Sequence, residues 1–200
     1  MHGADLFLIR HGETSWNLER RFQGHRDSPL TGRGIEQGER AGRRLLAELD
    51  EPAAYGLTSS PLGRARHTAA IVARAIGRTP REITLDDRLK EMTWGAWDGL
   101  TAAEIEARDP ELWQARINDR WTVAPPGGGE TQQAILDRAM AWLEDLAPAA
   151  RLVAVAHGAL GRAIRCAYLN LPAAAMLELD EPQDAIFRLC CGRIERIEVL

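Results

Sequence analysis

The stretch Asp5-Leu6-Phe7-Leu8-Ile9-Arg10-His11-Gly12 decides the fold. Its continuous apolar run is typical of a β-strand that is covered on both faces. The strand ends on Arg10 and His11. Open α/β sheets bind their ligands at the carboxyl ends of the strands, so a guanidinium and an imidazole are delivered together at that edge. This pair suits a site that holds a phosphoryl group and attacks it.

The rest of the chain alternates between strand and helix patterns. Apolar runs predict strands over 5–10, 54–58, 82–85, 151–156, 185–190 and 194–199, and apolar residues at three-and-four spacing predict helices over 35–49, 65–76, 135–146 and 160–171. This alternation predicts an α/β fold, with a mostly parallel sheet and helices on both faces. The last two strands flank Gly192 and predict an antiparallel hairpin at the sheet edge.

Length and composition limit the classes of protein that fit. The 200 residues are 45% hydrophobic and 27% charged, and no linker divides them, so residues 1–200 are predicted to form one domain. The formal net charge of -4 gives no general attraction for nucleic acid or anionic lipid, and neither is an expected partner. No apolar run is long enough to span a bilayer.

The cysteines and the first residues of the chain predict a cytoplasmic location. Cys166, Cys190 and Cys191 are odd in number and form no CxxC motif, which argues against a disulfide framework or a structural zinc site. The chain also begins without the basic and apolar regions of a secretory signal. Reduced cysteines in the cytoplasm are therefore expected.

Three predicted strands end on groups that suit an anion. Besides Arg10 and His11, the strand before Ser59 leads into a helix that carries Arg64, and the strand at 151–156 ends on His157. Phosphoryl transfer without a metal needs arginines to balance the phosphate charge and a nucleophile in line with the leaving oxygen. A neutral imidazole nitrogen of His11 is a competent nucleophile.

The helix starts explain why Arg64 and His157 are candidates. Ser60 as N-cap and Pro61 as the first helical residue would place Arg64 in the first turn, where the helix dipole favours an anion. Gly158 would let helix amides approach that anion beside a His157 imidazolium. The alternatives are a solvated arginine and a histidine that merely caps its helix.

The leaving alkoxide needs a proton, and Glu91 is the candidate general acid. Its alternative is an exposed glutamate on a loop. Two long stretches, 12–31 and 92–130, resist the strand–helix alternation, and long loops in compact domains are often functional. Four of the six tryptophans lie in 92–130, which indicates either packing or an apolar, stacked leaving group.

Taken in order, these segments resemble the histidine phosphatase superfamily, in its phosphoglycerate-mutase-like branch. The resemblance covers nearly the whole chain and rests on Arg10-His11-Gly12-Glu13-Thr14-x-x-Asn17, Gln23-Gly24-x-x-Asp27-x-Pro29-Leu30-Thr31-x-x-Gly34, Ser60-Pro61-Leu62-x-Arg64-Ala65-x-x-Thr68-Ala69, Glu91 with Gly95-x-Trp97-x-Gly99, Gly128-Gly129-Glu130 and His157-Gly158.

The resemblance implies a three-layer α/β/α sandwich and a role for each site residue. His11 would be phosphorylated, and Glu91 would donate a proton and then activate water. The phosphoryl group would lie among the side chains of Arg10, Arg64 and His157, and the substrate side of the site would include Asn17, Gln23, Gly24, Glu130 and Gly158. Asn17 would contact the phosphoryl oxygens or orient the site. No metal or organic cofactor is implied.

The implied activity is hydrolysis of a small phosphorylated metabolite. A 2,3-bisphosphoglycerate-dependent phosphoglycerate mutase is the alternative, but it needs extra positive charge, and residues 92–113 supply only Arg108 against five acidic residues. A catalytically silent module that binds a phosphorylated ligand is a second alternative. Pairing through the final strand would allow a homodimer.

Overall fold

A computed structural model describes residues 3–199 and contains a six-stranded sheet. The strands are β1 (Asp5–Arg10), β2 (Gly56–Ser59), β3 (Ile83–Leu85), β4 (Arg151–Ala156), β5 (Ala185–Cys190) and β6 (Arg193–Glu198). Their order is β3-β2-β4-β1-β5-β6. The first four are parallel, and β5 and β6 are antiparallel. The predicted sheet and edge hairpin are confirmed, with boundaries shifted by one or two residues.

Seven α-helices accompany the sheet within the described residues. They are α1 (Ser15–Leu18), α2 (Gly32–Glu48), α3 (Gly63–Ala75), α4 (Ala102–Arg108), α5 (Pro110–Asn118), α6 (Gln132–Glu144) and α7 (Gly158–Tyr168). The four predicted helices correspond to α2, α3, α6 and α7. The short α1, α4 and α5 lie in the stretches 12–31 and 92–130 and were not predicted. Across residues 3–199, no helix is both long enough and apolar enough to cross a membrane.

The side chains of β1 show how the two faces of the sheet are covered. Leu6 and Leu8 belong to a buried cluster with residues of α6 and α7. Phe7 and Ile9 point to the opposite face and join a cluster with residues of α2 and α3. Successive strand residues alternate between faces, so a strand that is apolar throughout needs helices on both sides. The three-layer arrangement that the resemblance implied is therefore confirmed.

The strand order brings the predicted site segments together. β4 lies between β1 and β2, and all three run in the same direction. Their carboxyl ends therefore meet at one edge. There the chain continues into His11 from β1, into Ser60 from β2 and into His157 from β4. The fold thus supplies the convergence that the sequence predicted.

Candidate active site

A cavity of about 500 Å³ opens at this edge of the sheet. Seven of the ten predicted site residues line it, namely Arg10, His11, Asn17, Gln23, Gly24, Arg64 and Glu91. The other three, Glu130, His157 and Gly158, do not contribute to its wall. Catalytic candidates from distant parts of the chain therefore share one space.

The His11 ring is held by a hydrogen bond to the backbone. Its Nδ1 lies 2.8 Å from the backbone carbonyl of Gly12. A carbonyl can only accept, so Nδ1 carries the proton and Nε2 keeps its lone pair. Burial lowers the pKa of His11 well below 6.5, and the guanidinium groups of Arg64 and Arg10 lower it further. The ring is therefore neutral near pH 7, as a nucleophile must be.

His157 lies behind His11 and is also neutral. The two rings meet edge to face with centroids 5.2 Å apart, and His157 Nε2 is 2.8 Å from Ser60 Oγ. Burial lowers the pKa of His157 well below 6.5, and Arg64 and His11 contribute to the shift. A buried ring beside guanidinium groups resists a further positive charge, which favours a neutral His157 over the expected imidazolium.

The start of α3 differs from the prediction. The helix begins at Gly63 with Leu62 as N-cap, so Ser60 is not the N-cap residue. The capping group is the carboxylate of Asp27, which accepts from the backbone N–H of Gly63 at 2.6 Å and of Arg64 at 3.2 Å. The hydroxyl of Ser60 accepts from the backbone N–H of Leu62 at 3.3 Å and lies 2.8 Å from His157 Nε2. Arg64 nevertheless lies in the first turn, as predicted.

The side chain of Arg64 is completely buried and held from several directions. It donates to the backbone carbonyls of Gly24 at 2.8 Å and of Arg26 at 2.7 Å, and to Asp27 at 2.9 Å. Gly24 has a φ of +52°, and an added Cβ there would collide with the carboxylate of Asp98. Glycine is therefore required at the turn that fixes Arg64.

Arg10 is tied to a segment that the sequence analysis did not include. Its guanidinium donates to the backbone carbonyl of Glu181 and lies 4.0 Å from the Glu181 carboxylate. That carboxylate also pairs with Arg162 at 2.8 Å. Burial raises the pKa of Glu181, and Arg162 opposes the shift. Glu181 and Arg162 both line the cavity, so they belong to the site.

Gly158 has a different place from the one expected. It lies beneath Glu181 and Arg10, and an added Cβ would collide with the Glu181 carboxylate. The small residue therefore lets Glu181 approach the start of α7. The predicted role of Gly158, to bring amides to a substrate anion, stays a prediction, and Gly158 does not line the cavity.

Glu91 lines the cavity at the amino end of α7. Its carboxylate accepts from the backbone N–H groups of Ala159 at 3.3 Å and Leu160 at 3.2 Å, and from that of Met92 at 2.9 Å. A helix amino end favours a carboxylate and fixes its direction. Glu91 is therefore a positioned group rather than a loose loop residue.

Glu130 supports Glu91 from behind the cavity. It pairs with Arg138 at 2.8 Å and accepts from the backbone N–H of Thr93. Arg138 in turn donates to the backbone carbonyl of Lys90 at 2.7 Å. These contacts engage both oxygens of the Glu130 carboxylate, and Glu130 does not line the cavity. It holds in place the segment that carries Glu91.

Asn17 presents a donor to the cavity. Its Oδ1 accepts from the backbone N–H and the hydroxyl of Thr14, at 3.1 and 3.2 Å, and from Gln183 at 3.2 Å. The Nδ2 group is left for a ligand oxygen, in line with the predicted contact to phosphoryl oxygens. Gln183 also donates to the backbone carbonyl of His11, so it ties Asn17 to the nucleophile.

The cavity is richer in positive charge than residues 92–113 indicated. Arg21, Arg116, Arg120 and Arg162 line it in addition to Arg10 and Arg64. These residues lie outside the segment on which the charge argument against a mutase rested. Residues 92–113 contain only Arg108, but the fold brings four other arginines to the cavity from elsewhere in the chain, so the low charge of this segment does not argue against a mutase.

Comparison with known proteins identifies the family. Residues 6–193 match the family model of the histidine phosphatase superfamily, branch 1. The chain belongs to the histidine phosphatase superfamily. The residues that carried the sequence resemblance lie within this match, and the fold has the same layers and site edge that the family resemblance implied.

Relatives within this superfamily carry more than one activity in their names. "Probable phosphoglycerate mutase GpmB" of Salmonella paratyphi B is 36% identical over 192 residues, which cover 92% of this chain and 83% of the relative. The alpha-ribazole phosphatase of Shigella flexneri has a TM-score of 0.79 at 26% identity and covers 98% of this chain and 95% of its own. A phosphoserine phosphatase of Entamoeba histolytica has a TM-score of 0.77 at 25% identity, covering 96% and 94%.

Proposed function

We propose that this chain, a phosphatase of the histidine phosphatase superfamily, hydrolyses a small phosphorylated metabolite through a phosphohistidine at His11 and without a metal ion. The observation that carries the proposal is the hydrogen bond between His11 Nδ1 and the Gly12 carbonyl, which leaves the Nε2 lone pair free beside Arg10 and Arg64. The nucleophile and the charges that would stabilise the transferring group share one cavity.

The first half of the reaction transfers the phosphoryl group to the enzyme. Nε2 of His11 attacks phosphorus, and the bond from phosphorus to the alcohol oxygen breaks. Glu91 gives its proton to that oxygen, so the product leaves as a neutral alcohol. Arg10, Arg64 and the Nδ2 group of Asn17 donate to the phosphoryl oxygens during the transfer.

The second half restores the enzyme. The Glu91 carboxylate takes a proton from a water molecule as that water attacks the phosphohistidine. The bond from phosphorus to Nε2 breaks and inorganic phosphate is formed. Glu91 is then protonated and His11 is neutral, as at the start. The backbone amides of Ala159 and Leu160 hold the Glu91 carboxylate in one place through both halves of the reaction.

Turnover without metal tests the proposal. The wild-type protein should hydrolyse phenyl phosphate in the presence of a chelator, and His11→Ala should abolish turnover. Glu91→Gln should slow an alkyl phosphate far more than phenyl phosphate, because a basic alkoxide needs the proton more. Full activity in His11→Ala would refute the covalent route.

A phosphoglycerate mutase is the second candidate. The name of the Salmonella relative favours it. Incubation with 3-phosphoglycerate and a 2,3-bisphosphoglycerate primer separates the two activities. Release of inorganic phosphate supports the phosphatase, whereas net conversion to 2-phosphoglycerate with phosphate conserved supports the mutase.

A further inference from the structure

The part of the cavity wall formed by Phe22, Trp94 and Trp113 is aromatic. The rings of Phe22 and Trp94 stack with centroids 4.1 Å apart, and the Trp113 ring lies 6.1 and 6.5 Å from them. All three side chains are only half-buried, and all three line the cavity. Ile117 extends the same wall and is 40% exposed. Such apolar surface favours an apolar ligand group that covers it.

The guanidinium groups next to this wall already have partners. Arg21 pairs with Glu19 and Glu104, each at 2.7 Å. Arg162 pairs with Glu181. These ion pairs offset the positive charge that would otherwise attract a second anionic group of the substrate.

Arg116 is held by backbone groups, although its Nε has no hydrogen-bond partner. Its side chain is buried and donates to the backbone carbonyls of Arg120, Val123 and Glu130. The guanidinium also lies over the Trp94 ring, with Cζ of Arg116 5.1 Å from the ring centroid. Arg116 thus holds the loop after α5 and supports the aromatic wall from behind. Arg120, another arginine of the cavity, is exposed to solvent, and the solvent screens its charge.

The volume of the cavity points in the same direction. At about 500 Å³ it falls in the range of roughly 300–1,000 Å³ that holds ligands of drug size. A phosphoryl group on a three-carbon acid would leave most of the aromatic wall uncovered. A larger leaving group that reaches Trp113 would cover it.

We propose that the physiological substrate is the phosphomonoester of an uncharged, ring-bearing alcohol, whose ring packs on Phe22, Trp94 and Trp113. This inference rests on the proposed phosphatase activity and specifies its substrate class. The ring is held against the aromatic wall while the phosphoryl group lies at His11.

Three alkyl phosphates with primary alcohols test this substrate class. Ethyl, benzyl and 4-carboxybenzyl phosphate differ in the ring and in its charge, whereas their leaving groups remain alkoxides. Burial of one aromatic ring should raise kcat/KM for benzyl over ethyl phosphate by roughly tenfold to a hundredfold. The carboxylate should lower kcat/KM below that of benzyl phosphate, because it is desolvated against an apolar wall.

Two variants locate the effect on this wall. Phe22→Leu removes one stacking ring and should lower the benzyl-to-ethyl ratio several-fold. Ile117→Lys places an ammonium group at an exposed wall position, so the fold is retained while the benzyl preference falls and 4-carboxybenzyl phosphate gains. Ile35→Lys is the matched control, since Ile35 is 37% exposed on α2 and does not line the cavity. Its ratio should equal that of the wild type.

The outcomes separate this inference from the proposed function. A benzyl-to-ethyl ratio near one, a preference for 4-carboxybenzyl phosphate, or a ratio unchanged in both wall variants would overturn the substrate class and leave the phosphatase intact. Hydrolysis of none of the three esters or of phenyl phosphate would overturn the proposed function and this inference with it.

Discussion

Asp27 joins the stability of α3 to the position of Arg64, and two substitutions separate these roles. Asp27→Ala removes both the cap and the ion pair, whereas Asp27→Asn keeps an oxygen that caps a helix about equally well. The cap is worth about 1 kcal/mol. The ion pair involves a fully buried guanidinium but a carboxylate side chain that is 38% exposed. We therefore expect it to contribute about 1 kcal/mol to the free energy of unfolding.

These shares predict different losses of stability. Asp27→Asn should cost about 1 kcal/mol and Asp27→Ala about 2 kcal/mol in the free energy of unfolding. For a chain of this size each kcal/mol lowers Tm by about 2–4 °C. Both variants should lose part of kcat/KM, but less than Arg64→Met, because Gly24 and Arg26 still hold the guanidinium. Thermal unfolding followed by circular dichroism and steady-state hydrolysis of phenyl phosphate measure the two effects.

Two outcomes would contradict these predictions. Equal Tm values for Asp27→Asn and Asp27→Ala would show that the carboxylate does not cap α3. An Arg64→Met protein with wild-type kcat/KM would show that the guanidinium takes no part in the reaction, whatever Asp27 does.

Three further predictions follow from the same contacts. Glu130→Gln should weaken the hold of Arg138 on the segment before Glu91 and lower kcat for alkyl phosphates more than for phenyl phosphate; equal losses for both would contradict a positioning role. The lowered pKa values of His11 and His157 mean that the unfolded chain binds protons first below pH 6.5, so the free energy of unfolding should fall as pH drops from there, and His157→Gln should reduce that slope in denaturant titrations. Gly24→Ala should cost about 1–2 kcal/mol from its left-handed backbone alone, and more from the collision with Asp98; a Tm within error of the wild type would contradict this.

The sequence was most informative where the chemistry lies directly after a strand. His11, His157 and the start of α3 each follow a parallel strand, and parallel strands place their carboxyl ends at one edge. Once the apolar runs were recognised, the convergence of these groups followed from the order of elements. The helix that carries Arg64 was predicted for the same reason.

The contacts that support the site were not predictable from local patterns. Glu181 and Gln183 reach Arg10 and His11 across more than one hundred and seventy positions of the chain. Asp27 was quoted in the family motif, but nothing in its own segment indicates that it caps a helix 36 residues later. Long-range loop geometry decides these contacts, and neither periodicity nor propensity encodes it.

Glu130 shows that a motif does not specify the contacts of a residue. The family resemblance placed it on the substrate side of the site. The structure turns its carboxylate toward Arg138, two turns into α6. The guanidinium of Arg138, which is only partly exposed, pairs with this carboxylate, and that partner could not be identified from the sequence.

The nitrogen at which His11 becomes phosphorylated tests the central claim most directly. Rapid mixing with a phosphomonoester, quenching in base, and ³¹P NMR or peptide mass spectrometry would identify the modified ring atom. Because Nδ1 donates to the Gly12 carbonyl, the label is predicted on Nε2 of His11. Label on Nδ1, label on His157, or turnover with no phosphohistidine would contradict the account.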